Sequence, residues 1–319
     1  MENQRDVVII GGGAAGLSAA IVLTRAQARV LVVDDGMPRN APAAHMHGIL
    51  SRDGANPAEF LEVGRREVEG YGGAFVHARA IDATRNGADG SFEVALDSGR
   101  VVSARAILVA TGLTDEVPDI AGVRNSWGST VHHCPHCHGT EVAGQAIVVI
   151  GGQMPAMTLH QAALLRRYSD HVTLCPHDMD IGAIERGRLE AFGVGIVDGT
   201  VARLRSDSDH PTGIELADGM MVACDAVFIA PQLRPNDAIL RALGCAVVHE
   251  TGWVAVEGPS ATSVPGVWAC GNVVNPRAQA ITAAGEASTT AIAITSWLLE
   301  RDIEAAVLRA DTRATGTRS

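Results

Sequence analysis

Val7-Val8-Ile9-Ile10-Gly11-Gly12-Gly13-Ala14-Ala15-Gly16 is the stretch on which the fold turns. Four β-branched residues in succession read as a buried strand, and the glycines after them end it. From Leu17 to Leu23 the apolar residues recur at helical spacing, so the segment reads strand, glycine turn, helix. A second apolar run, residues 30–33, closes on Asp34 and Asp35 and completes a β-α-β unit of about 30 residues, which predicts a parallel sheet. Gly11, Gly13 and Gly16 fit the G-x-G-x-x-G pattern, with Gly12, Ala14 and Ala15 filling the turn. Glycine there permits the tight turn, lets backbone approach a pyrophosphate and brings helix close to strand, while the helix N-terminus offers its positive dipole end. Asp34 stands where an acid accepts the ribose hydroxyls of a dinucleotide.

Working outward, residues 35–57 are rich in Pro, Asn, His and Gly and read as a long loop before a helical pattern at 58–71. A strand at 106–110 ends in Thr111-Gly112, and the Pro- and Gly-containing stretch to Trp127 suits a crossover between domains. The pattern then repeats: strand 146–150, turn Gly151-Gly152-Gln153, helix 157–168, strand 171–174. A last strand, 266–269, leads into Gly271-Asn272 and an Ala-rich helix at 280–300, and the residues after Ala310 read as a frayed tail. The chain is an internally duplicated α/β protein, expected to hold two Rossmann-like three-layer domains.

Composition agrees. The 319 residues are 47% hydrophobic and 19% charged, enough apolar material for a real core, and the length favours two domains while leaving one long domain open. With 25 Lys and Arg against 36 Asp and Glu, the net charge of −11 repels polyphosphate and argues against nucleic acid as a partner. No apolar run reaches the roughly 18 residues that span a bilayer, and Met1–Asp6 runs straight into the first strand without space for a signal sequence. A cytoplasmic protein with no membrane partner is expected. Of six cysteines, Cys175, Cys224, Cys245 and Cys270 stand singly and read as small buried hydrophobes.

The other two carry the chemistry, in the run His133-Cys134-Pro135-His136-Cys137-His138. A C-x-x-C spacing brings two sulfurs within bonding distance with little distortion and depresses the pKa of the attacking thiol. Proline at the first intervening position stiffens the turn and removes one amide donor. An imidazole at His138, His133 or His136 titrates near neutrality and suits a base for an incoming thiol. The same residues with His132 are also rich in metal ligands. A structural zinc site needs a second ligand pair, for which Cys175 and His177 have unusual spacing, so redox chemistry without a metal is the favoured reading.

Taken together, Gly11–Gly16, Ala110-Thr111-Gly112, Cys134–Cys137 and the segment from Gly271 through Gln279 to Ala280 resemble the low-molecular-weight thioredoxin reductase family, in that family's order. The resemblance implies an FAD domain made of residues 1–116 and 245–319, surrounding an inserted NADPH-like domain at 117–244 that bears the cysteines. It implies FAD as cofactor, held by Gly11, Gly12, Gly13, Ala14, Ala15, Gly16, Asp34, Asp35, Arg39, His47, Ala80, Ala110, Thr111, Gly112, Gly271, Asn272, Gln279 and Ala280. It implies a homodimer, with Cys137 against the flavin and Cys134 meeting substrate. Two departures stand out: His138 replaces an acidic group, and Asn272 replaces an acid that holds the ribityl chain, where an amide still offers donor and acceptor.

The second glycine turn also departs. Gln153 replaces the glycine that admits a pyrophosphate, Met154 and Pro155 crowd the turn, and Cys175-Pro176-His177-Asp178 and Asp180 stand where arginines would grip a 2′-phosphate. Arg166 and Arg167 read as solvated surface charges. With Cys-Pro-His-Cys-His-Gly and the loop from Pro38 to Gly48, these departures resemble the dithiol oxidases that close disulfides in natural products such as gliotoxin, holomycin and romidepsin. That resemblance implies a small-molecule dithiol as substrate, with electrons passing through Cys134–Cys137 and FAD to dioxygen and yielding hydrogen peroxide. An NADPH- or ferredoxin-dependent reductase of thioredoxin-like disulfides is the alternative, and a redox or zinc sensor without catalysis a third.

Overall fold

The computed structural model describes residues 4–87, 90–207 and 210–316. The chain divides into two compact units, one of residues 1–39, 58–114 and 235–319, the other of 40–57 and 115–234. The loop at 40–57 thus groups with the central unit and 235–244 with the outer one.

In the first unit a seven-stranded sheet runs Ala74–His77, Val30–Asp34, Arg5–Ile10, Val101–Val109, Phe92–Leu96, Ala80–Arg85, with Val267–Ala269 also on Val101–Val109. The first four and Val267–Ala269 are parallel, and the hairpin pair is antiparallel. Both faces of the parallel part are covered, which is why its strands are continuous apolar runs. Val7 and Ile9 point into a core shared with Leu17, Leu23, Ala287 and Ile294 of the helices Ala14–Arg25 and Ala280–Gly316. Val8 and Ile10 point the other way, against Phe92, Val94, Ile239 and Leu240.

The central unit has a five-stranded parallel sheet ordered Gly195–Ile196, Val172–Cys175, Ile147–Ile150, Ala226–Ile229, Val131–His132. One face packs on the helices through Ile147, Val149, Phe228, Leu165 and Leu189. The other packs, through Val148, Ile150, Val227 and Ile229, on Val201, Leu204, Ile214 and Leu216 of an antiparallel sheet Val201–Asp207, His210–Leu216, Met221–Val222. The mixed α/β class with two parallel sheets is as expected. Leu113–Glu116 and Gln232–Pro235 pair as a two-stranded sheet, and the division between units falls within both strands.

Three readings are corrected. The terminal helix continues to Gly316, past the expected fray at Ala310; residues 317–319 lie outside the described range. The helix expected at 157–168 is Pro155–Leu165, because proline fits the first helical position, where its missing N–H has no intrahelical partner. Arg166 is no solvated charge: its side chain is 17% exposed and its guanidinium donates to the carbonyls of Ser169 and Phe192 and pairs with Asp170, tying down the chain beyond the helix. Arg167 is exposed. No described helix is long and apolar enough to cross a membrane.

Candidate active site

The first glycine turn is shaped by backbone contacts. Gly11 has φ +107°, and a Cβ there would overlap the carbonyl oxygen of Ala110, whose N–H donates to Ile10 O at 2.8 Å. A Cβ on Gly16 would overlap Gly11 O, and one on Gly12 would sit 2.7 Å from the Asp34 carboxylate. Around Gly13, the residue that opens the helix, nothing lies within 4 Å of where a Cβ would be. Three glycines are thus held by their neighbours, and the fourth borders open space at a helix N-terminus. That is the shape and polarity a pyrophosphate requires.

Asp34, at the end of the second strand, accepts the N–H of Gly12 at 3.0 Å through Oδ1 and pairs with Arg65 through Oδ2. It therefore orders the turn as well as presenting an acid beside it. Asp35 pairs with Arg79 at 3.3 Å. Ala80 begins its strand two residues after Ala78, whose N–H donates to Asp34 O at 3.0 Å. Thr111 and Gly112 are tied to Asn236: Thr111 Oγ1 donates to its carbonyl at 2.7 Å, and the Asn236 N–H donates to Gly112 O at 3.1 Å.

Gly271, at φ +71°, packs against the turn's helix: its missing Cβ would lie 3.1 Å from that of Ala15. Asn272 spends both amide protons locally, donating to Asn275 O at 3.0 Å and Ala278 O at 2.8 Å, while Oδ1 accepts from Arg39 at 3.2 Å. An acid could not make the first two bonds, so the amide is built into the loop. Gln279 is exposed and Ala280 opens the long helix, with Gln279 O accepting from Ala283 N–H at 2.9 Å. Sequence reading missed Arg65, Asn236 and Glu286. Glu286 fastens the loop by accepting from Gly271 N–H at 3.3 Å and Asn275 Nδ2 at 2.6 Å. Its signal was present: it is the one charged residue between positions 280 and 299.

In the central unit Cys134 and Cys137 are joined as a disulfide with Cα atoms 5.3 Å apart. Cys134 precedes a single helical turn, Pro135–His138, and its carbonyl accepts the N–H groups of Cys137 and His138, both at 3.1 Å. Gly139 follows because a Cβ there would meet Pro135 O at 2.5 Å and the Tyr168 ring at 2.7 Å. The His138 ring stacks on His132, centroids 4.3 Å apart, and the Nδ1 atoms of both are buried without a hydrogen-bond partner. Burial pushes His132 down to about 3, with His138 and His133 adding to the effect, so His132 is a neutral ring. Burial also lowers His138; Glu141 opposes that and His47 reinforces it. A depressed imidazole is unprotonated near neutral pH and ready to take a proton. His133 stacks on Trp127, and His136 is exposed. His47 contacts Asp53 and Glu141.

The single cysteines are free and buried, and burial pushes the thiols of Cys175, Cys224 and Cys270 to about 12. All four are buried, as expected. Among the described residues no three of His, Cys, Asp and Glu gather closely enough to hold a metal ion.

A cradle for a dinucleotide in one unit and a dithiol pair in the other are the parts of a flavin-linked disulfide enzyme. Residues 5–288 match the family model described as pyridine nucleotide-disulphide oxidoreductase. The chain belongs to that family. Among its relatives are the thioredoxin reductase tcpT of Claviceps purpurea, 32% identical over 282 residues (85% of this chain, 87% of the relative), and the thioredoxin reductase sirT of Leptosphaeria maculans, 28% identical over 292 residues (86% and 89%). Among solved structures, HlmI superposes with a TM-score of 0.94 at 46% identity, covering 99% of this chain and 98% of that one. The thioredoxin reductase-like resemblance therefore holds along the chain. As a family member it is an FAD-binding flavoprotein oxidoreductase acting on sulfur groups.

Proposed function

We propose that the protein is a dithiol oxidase, closing an intramolecular disulfide in a small-molecule dithiol with dioxygen as final acceptor and hydrogen peroxide as second product. The carrying observation is the altered second dinucleotide turn. Gly151 is kept because a Cβ would overlap the carbonyl of Pro176, a structural need. Gln153 is exposed in the turn, and Pro155 at the first helical position removes a donor from the helix end. Beyond the adjacent strand stand exposed Asp178 and Asp180, which repel a phosphate. Arg186, the first arginine after them, is engaged by Asp198.

FAD would be held by Gly11–Gly16, Asp34, Asp35, Arg39, Ala80, Ala110, Thr111, Gly112, Gly271, Asn272, Gln279 and Ala280; when bound it supplies a two-electron acceptor that dioxygen reoxidises. The protein's own residues do the rest. His138 takes the proton of a substrate thiol, whose sulfur bonds to Sγ of Cys134. The Cys134–Cys137 bond breaks and Cys137 leaves as thiolate. The second substrate thiol, deprotonated in turn, attacks the mixed disulfide, forming the product S–S bond and releasing Cys134. Substrate loses two electrons and the cysteine pair gains them. Oxygen uptake and peroxide formation on adding dithiothreitol, at one peroxide per disulfide closed and without NADPH, test this; turnover that requires NADPH contradicts it.

The names of the relatives favour a second reading, an NADPH-dependent thioredoxin reductase, which the same experiment separates. We place the reaction in the cytoplasm, where four unpaired cysteines persist. We also propose a homodimer formed through the terminal helix, whose Ile292, Leu299, Ile303 and Val307 are each more than half exposed at helical spacing. Light scattering on purified protein is expected to give twice the 33.2 kDa chain mass, and Leu299→Glu with Ile303→Glu to give the monomer; a monomeric wild type contradicts it.

A further inference from the structure

Arg65 is a charge on an apolar stripe. In the helix Pro57–Gly70, Leu61 and Val68 are buried in the core that holds Leu17, and the helical repeat sets Gly64 and Arg65 on the same face. The charged residues beside them, Glu62, Arg66 and Glu67, are exposed. Gly64 permits a close approach to the helix that follows the first glycine turn: a Cβ on it would lie 3.0 Å from Cδ1 of Leu17. Arg65, next in sequence, is thereby held against the turn with its side chain 33% exposed.

There it meets Asp34, its one ion-pair partner among the described residues. The Asp34 carboxylate lies against the turn itself. It accepts the N–H of Gly12 at 3.0 Å, and a Cβ on Gly12 would come within 2.7 Å of it. An acid in this place suits ribose hydroxyls and opposes a pyrophosphate, whose own negative charges would enter one residue on, at the open space around Gly13. The neighbouring acid, Asp35, already has a partner in Arg79 at 3.3 Å. With a net charge of −11, the chain as a whole gives an anionic ligand no help.

We propose that Arg65 is a determinant of flavin binding: by neutralising Asp34 it lets a single turn receive both the ribose and the pyrophosphate of FAD. Arg65 acts through Asp34, which makes it a positioning residue of the cofactor site. The inference rests on the reading of Gly11–Gly16 as the pyrophosphate cradle and is independent of the direction of electron flow.

The test is titration of flavin-free protein with FAD, followed by flavin fluorescence, in NaCl from about 20 mM to about 500 mM, over which the Debye length falls several-fold. Wild type is compared with Arg65→Lys, Arg65→Gln, Asp34→Asn and the double variant Asp34→Asn with Arg65→Gln. Glutamine suits a helix, and asparagine keeps an oxygen for the Gly12 N–H. At low salt Arg65→Gln is expected to bind FAD about tenfold or more weakly than wild type, with the gap closing as salt rises. Arg65→Lys, which keeps the charge, stays near wild type. Asp34→Asn and the double variant bind FAD alike, because no carboxylate is left to neutralise; this comparison serves even if Arg65→Gln alone melts early.

Wild-type affinity in Arg65→Gln overturns the proposal. So does a gap that salt does not move, the mark of a pair that only braces the helix, or a double variant that binds about tenfold more weakly than Asp34→Asn. These outcomes leave the cradle standing; the cradle falls as well only if Gly13→Ala also binds FAD like wild type.

Discussion

Cys137→Ser protein, still yellow, turns over a dithiol on the order of 10³-fold more slowly than wild type or worse. Serine is nearly isosteric and keeps the backbone bonds from Cys137 and His138 to the Cys134 carbonyl, so the turn Pro135–His138 stays in place. What it removes is the leaving sulfur: an alkoxide neither forms the disulfide nor departs from one. The flavin remains because the glycine cradle is built entirely from residues of the other unit. Absorbance at the flavin maximum and oxygen uptake, read on one sample, check both halves. Full turnover by this variant would remove the cysteine pair from the reaction.

The second large effect is at Gly16. A Cβ there would overlap the Gly11 carbonyl oxygen, and the obstruction is backbone, with no flexible side chain to swing aside. Gly11 cannot retreat, because it is pressed in turn against Ala110. Gly16→Ala is expected to destabilise the outer unit by about 3 kcal/mol or more and to yield colourless protein. Gly13→Ala is the control. Its Cβ would meet nothing within 4 Å, so the flavin-free protein should melt at the wild-type temperature and yet bind flavin poorly, because the methyl group projects into the space proposed for the pyrophosphate. Thermal melts of the apo-proteins, paired with flavin titrations, distinguish the two. Equal melting of Gly16→Ala and wild type would contradict the packing account.

The contrast between these glycines shows what could be read from the chain alone. The turn at Gly11–Gly16 and the pair Cys134–Cys137 are contiguous, so their geometry is written in local spacing. The parallel strands Arg5–Ile10 and Ile147–Ile150 were legible because burial on both faces demands unbroken apolar runs. The antiparallel strand Val201–Asp207 was not: only Val201 and Leu204 are buried in a sequence that reads as polar. Strand Ala80–Arg85, with only Ala83 buried, escaped for the same reason, whereas its partner Phe92–Leu96 carried a readable alternation, with Phe92, Val94 and Leu96 buried. Apart from the lone charge at Glu286, pairings between distant segments left no local trace. Arg65 on Asp34, Glu286 on Gly271 and Glu141 on His47 each join residues that only the fold brings together. Asn272 looked like a weakened acid in the sequence; its two donated bonds show an amide required by its own loop.

The direction of electron flow is the central claim, and anaerobic reduction tests it most directly. Purified yellow enzyme, freed of oxygen, is mixed in separate syringes with dithiothreitol and with NADPH, and the flavin absorbance is followed. The account predicts rapid bleaching by the dithiol, none by NADPH on that time scale, and return of the colour when oxygen is admitted. Rapid bleaching by NADPH with a slow response to the dithiol would contradict it.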